Sequence, residues 1–427
     1  MAAKQAYGEK LAKILPQTLA PLLGEEARDH LEGVATTYRF SFSEVRLVAE
    51  AARDLEMWRE VPLSMWWPKA EASLGSLAGR ERKRRLLAQL NGHMLALRRL
   101  EKHYPPQAER LRGAAPQGGM EAHASETAIF GRCPAYSERT VCCGLYTLDA
   151  ALGCSFSCSY CTIQTFYGDK AVVDAELPRK LRELSSSLEP GRFYHIGTGQ
   201  SSDSLILGNH ERVLEELCAF AADHPHVLLE FKTKSDRVEP LLELSPPSNV
   251  VCSWTLNPQV VIDNEEHHTA TLAQRIEAAR RVANAGLKVA FHFHPMLHYA
   301  GWREGYADIA KELVARFDPT EVLFCTMGSV TLIKPVLREI RRRGGETKIL
   351  QMDLTPDPHG KLTYPDAVKI VLYRSLYEGL APWKDEVFFY LCMEPEAIWQ
   401  ASLGFSHVDN ESFERAFGVV FSNRLST

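Results

Sequence analysis

The chain has 427 residues, of which 45% are apolar and 24% charged, and its net charge is −5. This composition is typical of a globular protein with two or three domains, and no apolar run is long enough to span a membrane. The first residues lack the apolar core of a signal peptide, and ten cysteines in a chain of this length do not make a disulfide scaffold. We therefore expect a protein of the reducing cytoplasm without a membrane partner.

Residues 1–118 are predicted to form an N-terminal all-helical domain. Ser41 and Glu44 have the spacing of a capping box, and apolar residues recur at the helical period after them. A stretch rich in glycine and proline, 113–119, then marks the linker to the next domain.

One part of this helical domain is strongly basic. Ten basic residues lie between positions 80 and 112, against three acidic ones. Such a run either neutralises the phosphates of a nucleic acid or is the solvated face of a helix. The candidate nucleic-acid contacts in its densest part are Arg82, Lys83, Arg84 and Arg85.

Three cysteines then follow one another in a C-x3-C-x2-C spacing, at Cys154, Cys158 and Cys161. Iron–sulfur clusters are held by cysteine thiolates, normally four for a [4Fe-4S] cube, so three thiolates leave one iron open to a substrate or cofactor. Zinc prefers four ligands, usually as two separated pairs, and no matching second pair follows. The spacing therefore predicts an iron–sulfur cluster.

Residues 119–350 alternate between strand and helix patterns, in about six units. Such alternation predicts a parallel sheet with helices outside, here an incomplete (β/α)6 barrel. Functional groups are expected at the carboxyl ends of its strands, and the cysteine loop follows the first strand. Residues 351–427 are predicted to be a C-terminal extension that contains a helix and, at 386–392, a strand.

The cysteine spacing, with an aromatic residue before the third cysteine, resembles that of the radical S-adenosylmethionine (SAM) superfamily. Within it, the chain from Ala150 to Trp399 most resembles the spore photoproduct lyase family, because several motifs occur in that family's order. The motifs are Gly153-Cys-x3-Cys-x-Tyr160-Cys161, Gly199-Gln-Ser-Ser-Asp203, Phe231-Lys-Thr-Lys234, Ser253-Trp-Thr-Leu-Asn257, Phe291-His-Phe-His-Pro295 and Gly301-Trp-Arg-Glu-Gly-Tyr306.

The resemblance implies a barrel of the radical SAM type and two cofactors. A [4Fe-4S] cluster would be held by Cys154, Cys158 and Cys161, with SAM on its open iron. An electron from a reductant such as flavodoxin or ferredoxin would cleave SAM to a 5′-deoxyadenosyl radical, which abstracts hydrogen from the substrate. The residues implied to contact SAM are Tyr160, Ser202, Lys234, Ser253 and Thr255.

The chain departs from the family at the step that returns hydrogen to the product. In the family a cysteine after the second strand donates this hydrogen, and a tyrosine flanks each side of the third cluster cysteine. Gln200 stands at the cysteine's position, where an amide does not readily donate a hydrogen atom, and Thr162 replaces the second tyrosine. Cys325 and Cys252 are either substitute thiols or buried core residues.

Two further groups have open roles. His292 and His294 are expected to point into the barrel by strand alternation, where they either contact substrate and transfer protons or are packed and hydrogen-bonded. Three cysteines before the cluster loop are either an auxiliary metal site or unrelated thiols. Their spacing is not zinc-like, and adjacent cysteines rarely both bind one ion. These three are Cys133, Cys142 and Cys143.

The resemblance favours a lyase-type radical SAM enzyme that acts on a nucleic acid, with damaged thymine in DNA repair as the family's substrate. One alternative keeps this chemistry but acts on a tRNA, a peptide or a metabolite, because Gln200 replaces the donor cysteine. The other is a non-catalytic iron–sulfur protein that binds nucleic acid through the basic run.

Overall fold

The computed structural model describes residues 2–105, 121–123, 128–168, 170–357 and 360–425. The whole predicted linker, the end of the basic run and the predicted boundary at residue 118 lie outside these residues. The chain divides into two compact units. The first consists of Met1–His103 and Leu332–Lys361, and the second of Tyr104–Thr331 and Leu362–Thr427.

The described helices cover both units. No helix in the described residues is long and apolar enough to cross a membrane. The helices are α1 (Ala2–Ile14), α2 (Glu25–Tyr38), α3 (Phe42–Trp58), α4 (Leu63–Ser73), α5 (Gly79–Arg99), α6 (Ile163–Phe166), α7 (Leu177–Ser187), α8 (Val213–Asp223), α9 (Glu239–Leu242), α10 (Gln259–Glu265), α11 (Leu272–Asn284), α12 (Trp302–Arg316), α13 (Lys334–Arg343), α14 (Asp366–Gly379), α15 (Glu396–Leu403) and α16 (Asn410–Leu425).

The strands lie mostly in the second unit. They are β1 (Glu121–His123), β2 (Phe130–Arg132), β3 (Tyr146–Leu148), β4 (Ala151–Leu152), β5 (Ser157–Cys158), β6 (Val172–Asp174), β7 (Tyr194–Gly197), β8 (Val227–Thr233), β9 (Val250–Thr255), β10 (Glu266–His267), β11 (Lys288–Met296), β12 (Val322–Ser329), β13 (Thr331–Leu332), β14 (Thr355–Pro356), β15 (Leu362–Thr363) and β16 (Phe388–Leu391).

The first unit is helical, as the sequence predicts for this region. The capping box at Ser41 and Glu44 is formed and begins α3. Helix α13, which the β/α alternation assigns to the barrel, belongs to this unit. Its Arg341 donates two hydrogen bonds, of 2.7 and 2.9 Å, to the carboxylate of Asp54 on α3, which is 1% exposed. This buried ion pair fixes α13 against α3 because an unpaired carboxylate there would be costly.

The second unit is built on a curled sheet of eight strands, in the order β16-β12-β11-β9-β8-β7-β3-β2. All neighbours pair in parallel except β2 and β3. The predicted partial barrel is therefore confirmed. Strand β16, predicted within the C-terminal extension, adds one more parallel strand to the six expected.

The two ends of this sheet approach each other. Val141, before β3, forms an antiparallel bridge with Glu394, which follows β16 at the opposite edge. The Val141 N–H donates to the Glu394 carbonyl at 3.1 Å. On α16, the Phe417 ring packs 5.2 Å from the His195 ring and 5.5 Å from the Phe324 ring. The interior of the barrel is thus closed by contacts between segments that are far apart in sequence.

Candidate active site at the carboxyl ends of the strands

The cysteine loop begins at a glycine that no other residue can replace without strain. Gly153 has a φ of +79°, and a Cβ there would lie 1.9 Å from the Lys170 carbonyl oxygen. Its N–H donates to the Ser201 carbonyl at 2.9 Å. Backbone therefore packs against backbone at this point, and the chain turns directly into Cys154.

The three predicted cluster cysteines lie together. Cys154 and Cys158 are buried in one apolar cluster, against which Cys161 packs. Cys158 lies in β5, which pairs with β10. Burial, then Asp203, then the thiols of Cys161 and Cys158 raise the pKa of Cys154. The loop therefore brings the three sulfurs within electrostatic reach of one another.

This arrangement suits a cluster better than a single ion. All ten cysteines are free thiols. In the part of the chain that the structure describes, no three His, Cys, Asp or Glu side chains are placed to share one metal ion. A single zinc holds each sulfur about 2.3 Å from one point, whereas a cube presents a separate iron to each thiolate and spaces the sulfurs more widely.

A buried network supports the loop from behind. The Tyr160 hydroxyl donates to Glu266 Oε1, and the Asn257 amide donates to the same oxygen at 2.7 Å. The guanidinium of Arg275 lies 2.6 Å from Glu266 Oε2, and both side chains are fully buried. Burial alone would raise the pKa of Glu266, but Arg275 and the neighbouring Lys234 outweigh it and lower the pKa. Glu266 is thus an ionised carboxylate that positions Tyr160.

The predicted SAM contacts converge at neighbouring strand ends. Asp203 accepts hydrogen bonds from the Lys234 N–H and the Thr233 hydroxyl, both at 2.7 Å. The Lys234 ammonium lies 5.8 Å from the centroid of the Tyr160 ring. Ser202 Oγ and Thr255 Oγ1 are buried, and neither has a hydrogen-bond partner within the described residues. A group with polar atoms is therefore expected beside each of them, since buried hydroxyls are normally paired.

Ser253 lies on the same face of β9 as Thr255, but it is two residues earlier in the strand and therefore deeper in the barrel. Its hydroxyl donates to Glu230 Oε1, which also accepts from His292 Nε2. His195 Nε2 donates to the other oxygen of Glu230 at 2.7 Å. The ionised carboxylate only accepts hydrogen bonds, so both imidazoles carry their proton on Nε2. Ser253 is thus part of an interior network and is already paired.

The two predicted histidines are neutral at pH 7. Burial, with a contribution from Lys232, lowers the pKa of His292 to about 4 and that of His294 to about 3. His292 has a hydrogen-bonded role with Glu230, as one of its two predicted alternatives states. The imidazole of His294 lies against Gly328, where a Cβ would meet ring atoms at 2.9 Å.

The candidate hydrogen donors are not brought to the interior. Phe324 contacts the interior His195 and His292 rings, so its neighbour Cys325 points to the opposite face by strand alternation. Cys325 pairs in register with Phe291, whose ring packs on Phe317 outside the barrel. Cys252 likewise alternates with the interior Ser253. Gln200 is half-buried beyond the end of β7.

Each of the four predicted nucleic-acid contacts on α5 has an acidic neighbour in the first unit. Lys83 lies 3.1 Å from Glu44, and Arg82 lies 3.6 Å from Glu71. Arg84 and Arg85 lie 2.6 and 3.1 Å from Glu81. These ion pairs reduce the local positive charge, and contact with nucleic acid stays a prediction for this run.

Sequence reasoning missed the charged interior of the barrel. Glu230 and Lys232 alternate with apolar residues along β8, and His195 faces Glu230 from β7. A signal was present, because charged residues at positions 230, 232 and 234 of an apolar strand all point to one face.

Comparison with known proteins gives the family. The family model described as spore photoproduct lyase matches residues 136–356, just over half of the chain. The spore photoproduct lyase of Geobacillus sp. is 26% identical over 215 residues, which cover 48% of this chain and 62% of that protein. That of Bacillus subtilis is 26% identical over 211 residues, 48% of this chain and 61% of that protein. The chain thus spans about three-fifths of the length of these relatives.

Solved structures agree with this relationship in fold. A spore photoproduct lyase double mutant with bound AdoMet and dinucleoside spore photoproduct has a TM-score of 0.55 at 22% identity. The match covers 63% of this chain and 81% of that one. The lyase complexed with dinucleoside spore photoproduct gives the same values. The chain belongs to the spore photoproduct lyase family.

Proposed function

We propose that this chain is a radical SAM enzyme that binds a [4Fe-4S] cluster through Cys154, Cys158 and Cys161 and cleaves SAM reductively. The observation that carries the proposal is the pair of buried, unpartnered hydroxyls, Ser202 Oγ and Thr255 Oγ1, at strand ends beside this loop. They suit the polar atoms of SAM, as the family relationship leads us to expect.

The chain's own residues position these groups. The Lys234 ammonium would pair with the SAM carboxylate, because it stands at the end of β8 with its backbone fixed by Asp203. Tyr160, held by Glu266, lies between the cysteine loop and Lys234. When bound, the cluster and SAM supply a 5′-deoxyadenosyl radical for hydrogen abstraction. A flavodoxin or ferredoxin in a reducing cytoplasm would provide the electron.

A nucleic acid is the substrate that we favour. The related solved lyase binds dinucleoside spore photoproduct, a damaged pair of nucleosides. In this chain, Phe166 and Tyr167 directly follow the cysteine loop, and they are 56% and 41% exposed. Exposed aromatic rings are surfaces on which bases stack. We therefore propose that they meet the bases next to the lesion.

The first experiment tests SAM cleavage. Anaerobically reconstituted protein is mixed with SAM and dithionite, and 5′-deoxyadenosine is measured by chromatography. We expect product from the wild type and none from the Cys154→Ala/Cys158→Ala/Cys161→Ala variant. Cys218→Ala, a thiol on α8 away from the loop, is the matched control and should retain activity. No product from wild-type protein that holds its cluster would refute the proposal.

A second candidate keeps the chemistry but changes the substrate, and Gln200 favours it. The family's donor cysteine is absent there, and the interior holds Glu230, Lys232 and His292. The two candidates separate when substrates deuterated at the reacting carbon are supplied. Deuterium from an oligonucleotide with spore photoproduct should appear in 5′-deoxyadenosine if that lesion is the substrate. Deuterium from a tRNA, peptide or metabolite instead would support the second candidate.

A further inference from the structure

We propose that Cys133, Cys142, Cys143 and Cys392 bind a second iron–sulfur cluster of the [4Fe-4S] type. The sequence places three of these cysteines before the cluster loop and the fourth near the end of the chain. The structure brings all four to one place inside the second unit. The inference depends on their placement, and the activity proposed above is not needed for it.

Backbone contacts produce this convergence. Cys133 directly follows β2, and its N–H donates to the Leu145 carbonyl at 2.9 Å. Cys392 directly follows β16, and its N–H donates to the Met327 carbonyl at 2.8 Å. Since β2 and β16 are the two edges of the sheet, the curl of the barrel carries Cys133 towards Cys392.

The bridge between the sheet ends adds the other two thiols. Val141 pairs with Glu394, so Cys142 and Cys143, the next two residues, lie beside the segment that contains Cys392. Each of the four cysteines is within electrostatic reach of at least two others. The contacts join Cys142 to Cys133, Cys143 and Cys392, and Cys392 to Cys133 and Cys143.

The sulfur of Cys142 is surrounded by backbone donors. It is hydrogen-bonded to the Cys143 thiol, and it also accepts hydrogen bonds from the N–H groups of Gly144, Ser137 and Cys143. The N–H of Cys142 is itself fixed by Asn410 Oδ1 at 2.8 Å. Amide hydrogen bonds to sulfur stabilise cluster thiolates and help to set the reduction potential of the cluster. A thiol in an apolar core needs no such donors.

A cation stands beside two of the four thiols. Lys232 projects from β8 into the interior, where its charge acts on both Cys133 and Cys392. The carboxylate of Glu230 on the same strand face acts on this ammonium, but the two form no ion pair among the described residues. A cube with four thiolate ligands carries net negative charge, which an unpaired ammonium offsets in a buried site. Lys232 therefore has a clear role if a cluster is present.

The other readings of four neighbouring thiols fit less well. The cysteines are free, so they do not form disulfides. They are not placed around one ion, as a zinc site requires. The objection that adjacent cysteines rarely share an ion does not hold for a cube, because Cys142 and Cys143 would bind different irons. With four protein ligands, this cluster would have no open iron and would not bind SAM.

Iron content tests the proposal directly on the full chain. After anaerobic reconstitution, we expect about eight irons per chain, four for each cube. The Cys154→Ala/Cys158→Ala/Cys161→Ala variant should retain about four irons, as should Cys133→Ser/Cys142→Ser/Cys143→Ser/Cys392→Ser. Cys252→Ser/Cys325→Ser, which changes two thiols on the outer face of the sheet, should retain all of them.

A spectroscopic measurement on the wild type avoids any variant that fails to fold. In the dithionite-reduced protein, SAM should shift about half of the electron paramagnetic resonance signal, because only one cube has an open iron. About four irons in the wild type that are lost in the Cys154→Ala/Cys158→Ala/Cys161→Ala variant and kept in the Cys133→Ser/Cys142→Ser/Cys143→Ser/Cys392→Ser variant, or a signal that SAM shifts completely, would overturn the proposal. If both cubes are present and no 5′-deoxyadenosine forms, the proposed function fails while the second cluster stands.

Discussion

The Tyr160 hydroxyl donates a hydrogen bond to Glu266, and Glu266 forms an ion pair with Arg275 on helix α11. The cysteine loop is thereby connected to this helix. The contact explains why an aromatic residue with a hydroxyl precedes the third cysteine in this chain. It places the loop on a buried carboxylate whose charge is compensated from the other side. The loop is thus supported by the barrel before any cofactor is bound.

Arg275 and Tyr160 both contact Glu266, and substitution of Arg275 should destabilise the protein more than substitution of Tyr160. Arg275→Met leaves a buried charge uncompensated, which costs about 3–5 kcal/mol. Tyr160→Phe removes one hydrogen bond, which costs about 1–2 kcal/mol. Urea unfolding of the metal-free protein measures both changes. Arg84→Ala, which breaks an exposed pair with Glu81, is the control and should leave the unfolding free energy nearly unchanged. Equal losses for all three variants would contradict this assignment.

A methyl group at Gly153 should prevent formation of the cysteine loop. Gly153→Ala would place Cβ against the Lys170 carbonyl, so backbone must move and cluster incorporation should be lost. Gly168→Ala is a matched control, because Gly168 has a similar φ of +84° but nothing within 4 Å of its Cβ position. It should cost only about 1–2 kcal/mol of backbone strain and retain the cluster. Iron content after anaerobic reconstitution distinguishes the two.

Two adjacent serines should respond in opposite ways. Ser202→Ala removes a buried hydroxyl without a partner, so the unfolding midpoint should stay the same or rise, whereas SAM binding should weaken about tenfold. Ser201→Ala removes a hydroxyl that donates to Asp149 at 2.6 Å, so stability should fall. Anaerobic equilibrium dialysis measures SAM affinity. Unchanged affinity in Ser202→Ala would remove this residue from the SAM site.

Stability should fall as the pH is lowered from 6.5. The pKa of His292 is about 4 and that of His294 about 3 in the folded chain, both below the ordinary value of 6.5. The unfolded chain therefore binds more protons in this range, and each histidine lowers the unfolding free energy by up to about 1.4 kcal/mol per pH unit. Urea unfolding at pH 7.5, 6.5 and 5.5 tests this.

A variant isolates one histidine in the same series. His294→Leu should reduce the loss between pH 6.5 and 5.5 by up to about 1.4 kcal/mol, because one of the two titrating groups is gone. His210→Leu is a control, since this half-buried side chain lies outside the barrel interior on the segment before α8. An unchanged pH slope in His294→Leu would show that this imidazole is protonated in the folded protein.

The fold and the cysteine loop were predictable because both follow from local patterns in the sequence. The periodic spacing of apolar residues in strands and helices predicts the barrel, and the spacing of the three cysteines predicts the cluster loop. The proximity of Lys234 to the segment that holds Ser202 was also predictable, because the carboxyl ends of parallel strands meet at one edge of a sheet. The motifs of the family indicated which residues at this edge are candidates for contact with SAM.

Features that depend on distant contacts were not predictable. Strand β16 looks like any strand, and nothing local says that it pairs with β12. Cys325 was chosen by residue type, but its face follows from the packing of its neighbour Phe324 on the interior rings of His195 and His292. The acidic partners of Arg82 and Lys83 come from other helices. Such pairings are decided by tertiary packing.

The late position of β16 in the chain has a consequence for protein synthesis. Strand β12 exposes an unpaired edge until Phe388–Leu391 has left the ribosome, because no earlier strand among the described residues pairs there. Such an edge invites association between nascent chains. A transcript that stops before this strand would yield an aggregating product, so translation must pass Leu391 before this edge of the sheet is protected.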